Sequence, residues 1–185
     1  MTEPILFCRI GWMRAYQGLE EDISGAGAGH DIGNEWEAYN FSPYRGRVYG
    51  YLAAGRARTI DISRIGGSGD SVSGVTVVWV SPHPQQGRQR IVGWYRNATV
   101  YRELQDSPQG RPCEASDGSS VQYHVVAAEA DACLLRPAER SFSIPRARGF
   151  MGQSNTSYME SEIAASLVTE VRAYIQRGGS DSAIR

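Results

Sequence analysis

Lysine is absent from this chain, and all 19 basic side chains are arginine. No Schiff-base lysine, P-loop lysine or lysine-bearing nuclease motif can therefore operate. Cysteine is scarce and odd in number. Cys8, Cys113 and Cys133 lie far apart with no C-x-x-C spacing, so neither a zinc site nor a disulfide framework is implied. Only three histidines occur, His30, His83 and His124, and none pairs with another at helical spacing. No run approaches the ~18 apolar residues of a membrane span. The first residues, MTEPILFCRIGW, lack the basic start and apolar stretch of a signal peptide. A net charge of −1 creates no overall field toward nucleic acid or membrane. These absences predict a cytoplasmic protein without membrane association, metal or cofactor.

What is present is centred on residues 75–102, VTVVWVSPHPQQGRQRIVGWYRNATVYR. Three apolar, β-branched runs, at 75–81, 91–95 and 98–101, are separated by Pro82-His83-Pro84, Gly87 and Arg96-Asn97. Such runs bounded by turn residues predict buried strands, here a central hairpin with a third strand turning off it. Trp79, Trp94, Tyr95 and Tyr101 lie within it. Asn97 either stands at the mouth of an aromatic pocket or simply accepts a left-handed turn, with the aromatics as core.

Elsewhere, residues 5–12 read as a first strand and 18–33 as a glycine-rich surface loop. Residues 36–41 and 47–52 read as short aromatic strands, and 59–65 as an alternating strand with Ile60, Ile62 and Ile65 inward. After a polar excursion at 105–120, residues 121–128 return as a strand, with a further short one near Leu134. Ser157-x-x-Glu160 matches a capping box, and Met159, Ile163, Leu167, Val171, Tyr174 and Ile175 recur at helical spacing before Gly178. A helix over 158–177 follows. The expected architecture is α+β: a mostly antiparallel, strongly curved sheet or small barrel with this long helix packed on it. One domain spans 1–178, and 179–185 form a disordered tail.

For chemistry, the acid–base candidates are His30, Asp31, His83, His124, Glu35 and Glu37. On a strand, Glu35 and Glu37 would share a face and could hold a divalent cation, giving a metal-dependent hydrolase or nuclease with His30 and Asp31. No nucleophile elbow, HExxH or paired-carboxylate motif supports an enzyme, however. His83 between two prolines reads as turn geometry, and His124 as a core or edge histidine. The 18 aromatic residues are interleaved with arginine, for instance Arg14 near Trp12 and Tyr16, and Arg45 and Arg47 between Tyr44 and Tyr49. Base stacking and phosphate contact need this combination, and a tyrosine-filled core rim would produce it too.

The segments Gly11-Trp12-Met13, Tyr39-Asn40-Phe41, Val48-Tyr49-Gly50-Tyr51, VTVVWV at 75–80, IVGWYRNATVY at 91–101 and Met151-Gly152-Gln153-Ser154-Asn155 resemble an N-terminal domain of prokaryotic HNH-type, restriction-like endonucleases. The resemblance spans roughly residues 7–158. Such modules commonly read modified DNA, and several belong to the PUA-like group with EVE, YTH, ASCH and SRA domains. The resemblance implies a barrel-like fold and recognition of a modified, flipped base in double-stranded DNA within a restriction or defence system. It also implies a pocket drawn from Trp36, Asn40, Trp79, Trp94, Tyr95, Asn97, Gln153, Ser154 and Asn155. Arg14, Arg45, Arg47, Arg96, Arg146 and Arg148 would then hold phosphates. No HNH motif follows the helix, so a nuclease would lie on another segment or a partner chain.

Overall fold

The computed structural model describes residues 3–19, 32–54 and 59–179. At its centre, strands β3 (Ser71–Pro82) and β4 (Gln89–Asp106) pair as an antiparallel hairpin. Residues 75–81 are buried without interruption because the sheet is covered on both faces. Val75, Val77 and Trp79 enter one cluster, and Val78 and Val80 the other. Strand β1 (Ile5–Arg9) splits likewise, Leu6 and Cys8 against Ile5 and Phe7. Two-sided burial selects continuous apolar runs over polar alternation.

Among the described residues the sheet has eight strands and is mixed. Its main path runs β2 (Arg47–Gly50), β5 (Gln122–Ala128), β4, β3, β1, β8 (Thr156–Ser157), while β6 (Ala132–Leu134) and β7 (Ser143–Ile144) also pair with β4. β1 runs parallel to β3, from Ile5 opposite Thr76 to Arg9 opposite Val80, which departs from a purely antiparallel arrangement. The path ends at β2 and β8, so the sheet is open rather than closed on itself. The α+β class and the long C-terminal helix agree with the sequence reading.

Four local expectations differ. Residues 91–106 form one strand, not two. At Arg96-Asn97 the register steps from Val77/Tyr95 to Val75/Ala98, placing one extra residue on β4, and Asn97 takes φ 49°. That is a bulge, which bends the strand without ending it. Residues 36–41 are not a strand, since helix α1 (Ile32–Glu37) and a turn occupy that region. Six residues are too few to separate a period of 2 from one of 3.6. Ile60, Ile62 and Ile65 are buried as expected, but Ile62–Ile65 is a 3-10 turn, begun by Asp61 accepting from the Ser63 amide.

The fourth concerns the last helix, α2 (Glu162–Gln176), which begins after Ser161. The Ser157–Glu160 pair is spent elsewhere: Ser157 Oγ donates to Phe150 O at 2.8 Å, and Glu160 pairs with Arg64. The buried face is Ala164, Val171, Tyr174 and Ile175, while Ile163 is 64% exposed. Burying the three large side chains of this face stabilises by roughly 1.5–3 kcal/mol each. The helix ends as the sequence indicates. Gly178 (φ 69°) donates to Ile175 O and Gly179 (φ 83°) to Tyr174 O, satisfying two end carbonyls. Gly179 is thus packed, and residues 180–185 of the expected tail lie outside the described residues.

Candidate functional site

Trp79 and Tyr95 are fully buried in one cluster, their rings 5.2 Å apart, and the Tyr95 hydroxyl donates to Asn40 O. Trp94, 3% exposed, points to the other face and meets Tyr174 at 6.1 Å. Adjacent strand residues face opposite ways, so these three rings do not converge on one opening. Asn40 is fully buried and uses its amide as a strand would, donating to Tyr51 O at 2.9 Å and accepting from Tyr51 N at 2.8 Å. Trp36 is half-buried against Tyr51, with centroids 5.0 Å apart. Asn97 is exposed at its bulge.

The six predicted phosphate arginines are all exposed but fall into separate groups. Arg45 and Arg47 belong to the β2 edge, and Arg96 to the middle strand. Arg14 follows β1, and Arg146 and Arg148 lie in the loop that leads to β8, at the opposite edge. There Gln153 and Ser154 are exposed, and Asn155 is half-buried.

The 152–155 part of this loop is organised by Arg9, which the sequence reading does not single out. Its Nε and Nη2 donate to Asn155 Oδ1 at 3.0 and 2.8 Å, Nη2 to Gln153 O at 2.7 Å, and Nη1 to Gly152 O at 3.2 Å. Asn155 Nδ2 in turn donates to Ala53 O at 2.8 Å. Burial, and then the neighbouring Arg146 charge, lower the Arg9 pKa, against an opposing pull from Glu37. Among the described residues the ion pairs are Arg64–Glu160 and Arg136–Glu139, so Arg9, Arg14, Arg146 and Arg148 have no carboxylate partner.

The same loop borders a cavity of about 390 Å³, lined by Arg64, Phe150, Thr156, Ser157, Tyr158 and Glu160 among others. Its volume falls at the lower end of small-ligand pockets. The Arg64 guanidinium lies 4.1 Å over the Tyr158 ring and pairs with Glu160 at 2.5 Å. The wall thus combines aromatic surface, the hydroxyls of Thr156, Ser157 and Ser161, and the Arg64–Glu160 ion pair. Neither Phe150 nor Tyr158 is legible as a lining residue, because their convergence depends on the short β1–β8 pairing.

The acid–base candidates do not assemble. Glu35 accepts from Ser116 N at 2.8 Å and Ser116 Oγ at 2.7 Å, whereas Glu37 is buried and accepts from Gly11 N at 2.6 Å. On a helix these positions stand roughly 200° apart, so the expected shared face is lost. His30 and Asp31 lie outside the described residues. His83 Nδ1 accepts from Gln85 N and Gln86 N, the turn role its prolines suggest. His124 is fully buried, which lowers its pKa to about 4. Among the described residues no three His, Cys, Asp or Glu side chains lie where they would hold a metal ion, and no helix is long and apolar enough to cross a membrane.

Compared with protein-family models, with curated proteins and with solved structures, the chain has no match in any of the three.

Proposed function

We propose that the chain is a nucleic-acid-binding module that reads a modified, flipped base in double-stranded DNA, using the loop at 145–161. One observation carries this reading: a single loop joins arginines that have no ion-pair partner among the described residues to an aromatic, hydrogen-bonding cavity. Arg146 and Arg148, with Arg9 nearby, supply positive charge, and among the described residues no carboxylate forms an ion pair with them. The cavity itself suits a base better than a phosphate. The Arg64–Glu160 ion pair at its wall carries no net charge to draw a phosphate, and Glu160 can additionally accept from an exocyclic amine, as carboxylates do from cytosine N4. Tyr158 offers a stacking surface already held by Arg64, so little ordering is left to the ligand.

The energetics close. Flipping a base loses a few kcal/mol of stacking and pairing, least at a weakened pair. Stacking on an aromatic ring returns ~1–3 kcal/mol. Trp79, Trp94 and Tyr95 serve this function indirectly, as the rigid core behind the loop. The resemblance to restriction-like endonucleases makes the module a targeting part, with nuclease chemistry on another segment or partner.

The test is binding to matched duplexes with and without modified bases, measured by fluorescence anisotropy on folded variants. Tyr158→Ala is expected to lose ~1–3 kcal/mol for the preferred modified duplex and much less for the plain one, while Tyr158→Phe retains the preference. A modified-to-plain affinity ratio near one in the unmutated protein, across the common modified bases, overturns the reading.

A further inference from the structure

A second cavity, of about 410 Å³, lies beside the 107–121 excursion and is lined by Tyr39, Arg111, Cys113, Glu114, Gly118 and Ser120 among others. Its chemistry is opposite to that of the first. Arg111 is only 7% exposed. Its Nη1 donates to Ser107 Oγ at 3.1 Å, and Nη2 to Tyr39 O at 3.0 Å and Tyr49 O at 3.4 Å. Its Nε is buried with no partner, and the guanidinium lies 4.8 Å over the Tyr49 ring. Neutral carbonyls, a hydroxyl and a π face surround this cation, and among the described residues no carboxylate forms an ion pair with it.

A buried charge is ordinarily paired, because dipoles alone offset only part of its lost hydration. Burial lowers the Arg111 pKa, and the groups that raise it are Cys113, Tyr95, Tyr49 and Tyr123. Among the described lining residues the carboxylate is Glu114, which is exposed and leans toward the turn, its Oε1 3.7 Å from where a Cβ on Gly118 would stand. A buried guanidinium whose Nη1 makes a single hydrogen bond, beside an open cavity, suits one oxygen of a phosphate or carboxylate group.

We propose that this cavity binds a small oxyanion, with Arg111 as the residue that grips it. The site is separate from the loop at 145–161 and does not depend on that loop's function. A purely structural tether, in which Arg111 only fastens the excursion to Tyr39 and Tyr49, predicts no saturable ligand.

The experiment titrates the full chain with inorganic phosphate and, separately, with acetate, at ionic strength held constant by chloride. Amide and arginine Nε resonances are followed by proton–nitrogen NMR. Saturable shifts are expected at Arg111 Nε and at the amides of Cys113 and Gly118. Glu114→Gln should tighten binding severalfold by removing the repelling charge, and Arg111→Gln should abolish it. Should Arg111→Gln fail to fold, the exposed Glu114→Gln variant decides alone, and unchanged or weaker affinity there overturns the proposal. Absence of saturation in the unmutated protein also overturns it. A preference for phosphate or for acetate identifies the source of the oxyanion. Replacing Arg146 and Arg148 with Gln should leave these shifts unchanged, so this site and the base-reading loop stand or fall separately.

Discussion

Glu37 is a carboxyl group held almost entirely out of water, and burial pushes its pKa up to about 8 against the opposing Gly11 and Ala53 amides and the Arg9 charge. A folded-state pKa above the unfolded one means that the folded protein binds the extra proton. The resulting stability is complete below the unfolded pKa near 4.5 and is lost as pH rises through 8. His124 acts in the other direction. Burial lowers it to about 4, so its neutral form favours the fold above the unfolded pKa of 6.5, and that advantage fades as pH falls toward 4. Between 4.5 and 6.5 the two slopes oppose each other, and above 6.5 only that of Glu37 remains. Thermal unfolding should therefore show stability falling by roughly 2 kcal/mol between pH 6.5 and 8. Glu37→Gln should flatten that interval, and an equal slope in the variant would remove Glu37 as its source. At this scale the sequence named the arginines, Gln153, Ser154, Asn155 and Glu37 as candidates but not the burial of Glu37, because on the strand expected there Glu35 and Glu37 share a face, whereas helix α1 turns them apart. It also placed Trp94 and Tyr95 in one pocket, although neighbours on a strand must face apart.

Among the elements, long continuous apolar runs were legible, whereas the short alternation at 59–65 and the capping motif at 157–160 were not. The apolar runs of β1, β3 and β5 each supply several consecutive indications. The start of α2 hung on Ser157 and Glu160, both of which have tertiary partners in Phe150 and Arg64. The end of α2 was readable because two glycines in succession both adopt positive φ. This end also locks the helix to the sheet. A Cβ on Gly179 would stand 2.6 Å from Leu135 Cδ2 and 3.1 Å from the Trp94 ring, in a conformation that L side chains rarely adopt. Gly179→Ala should accordingly destabilise by about 1–3 kcal/mol, while Gly178→Ala, with open space around it, carries only the backbone term. Denaturant melts of the two variants measure the difference. Equal losses would show that the close approach to Trp94 and Leu135 contributes nothing.

For the whole molecule, the order of the strands separates what the sequence treats as one arginine population. β2 and β8 end the sheet path, so Arg45 and Arg47 lie at one edge while Arg146 and Arg148 precede the strand at the other. The topology was beyond the sequence because the parallel β1–β3 pair joins segments about seventy residues apart. A duplex seated on the 145–161 loop would neutralise the second group and leave the first in solvent. Each phosphate contact to B-DNA releases counterions and adds about 0.9 to the slope of log affinity against log salt. Replacing Arg146 and Arg148 with Gln should therefore reduce that slope by about 1–2. Affinity for modified and plain duplexes should fall alike, because phosphate contacts carry no base identity. Replacing Arg45, Arg47 and Arg96 with Gln removes more formal charge, three against two, and still should leave the slope nearly unchanged. Charge count and position thus predict opposite rankings for the two variants. A larger fall in slope for the triple variant would move the interface to the β2 side of the sheet and away from the Tyr158 cavity.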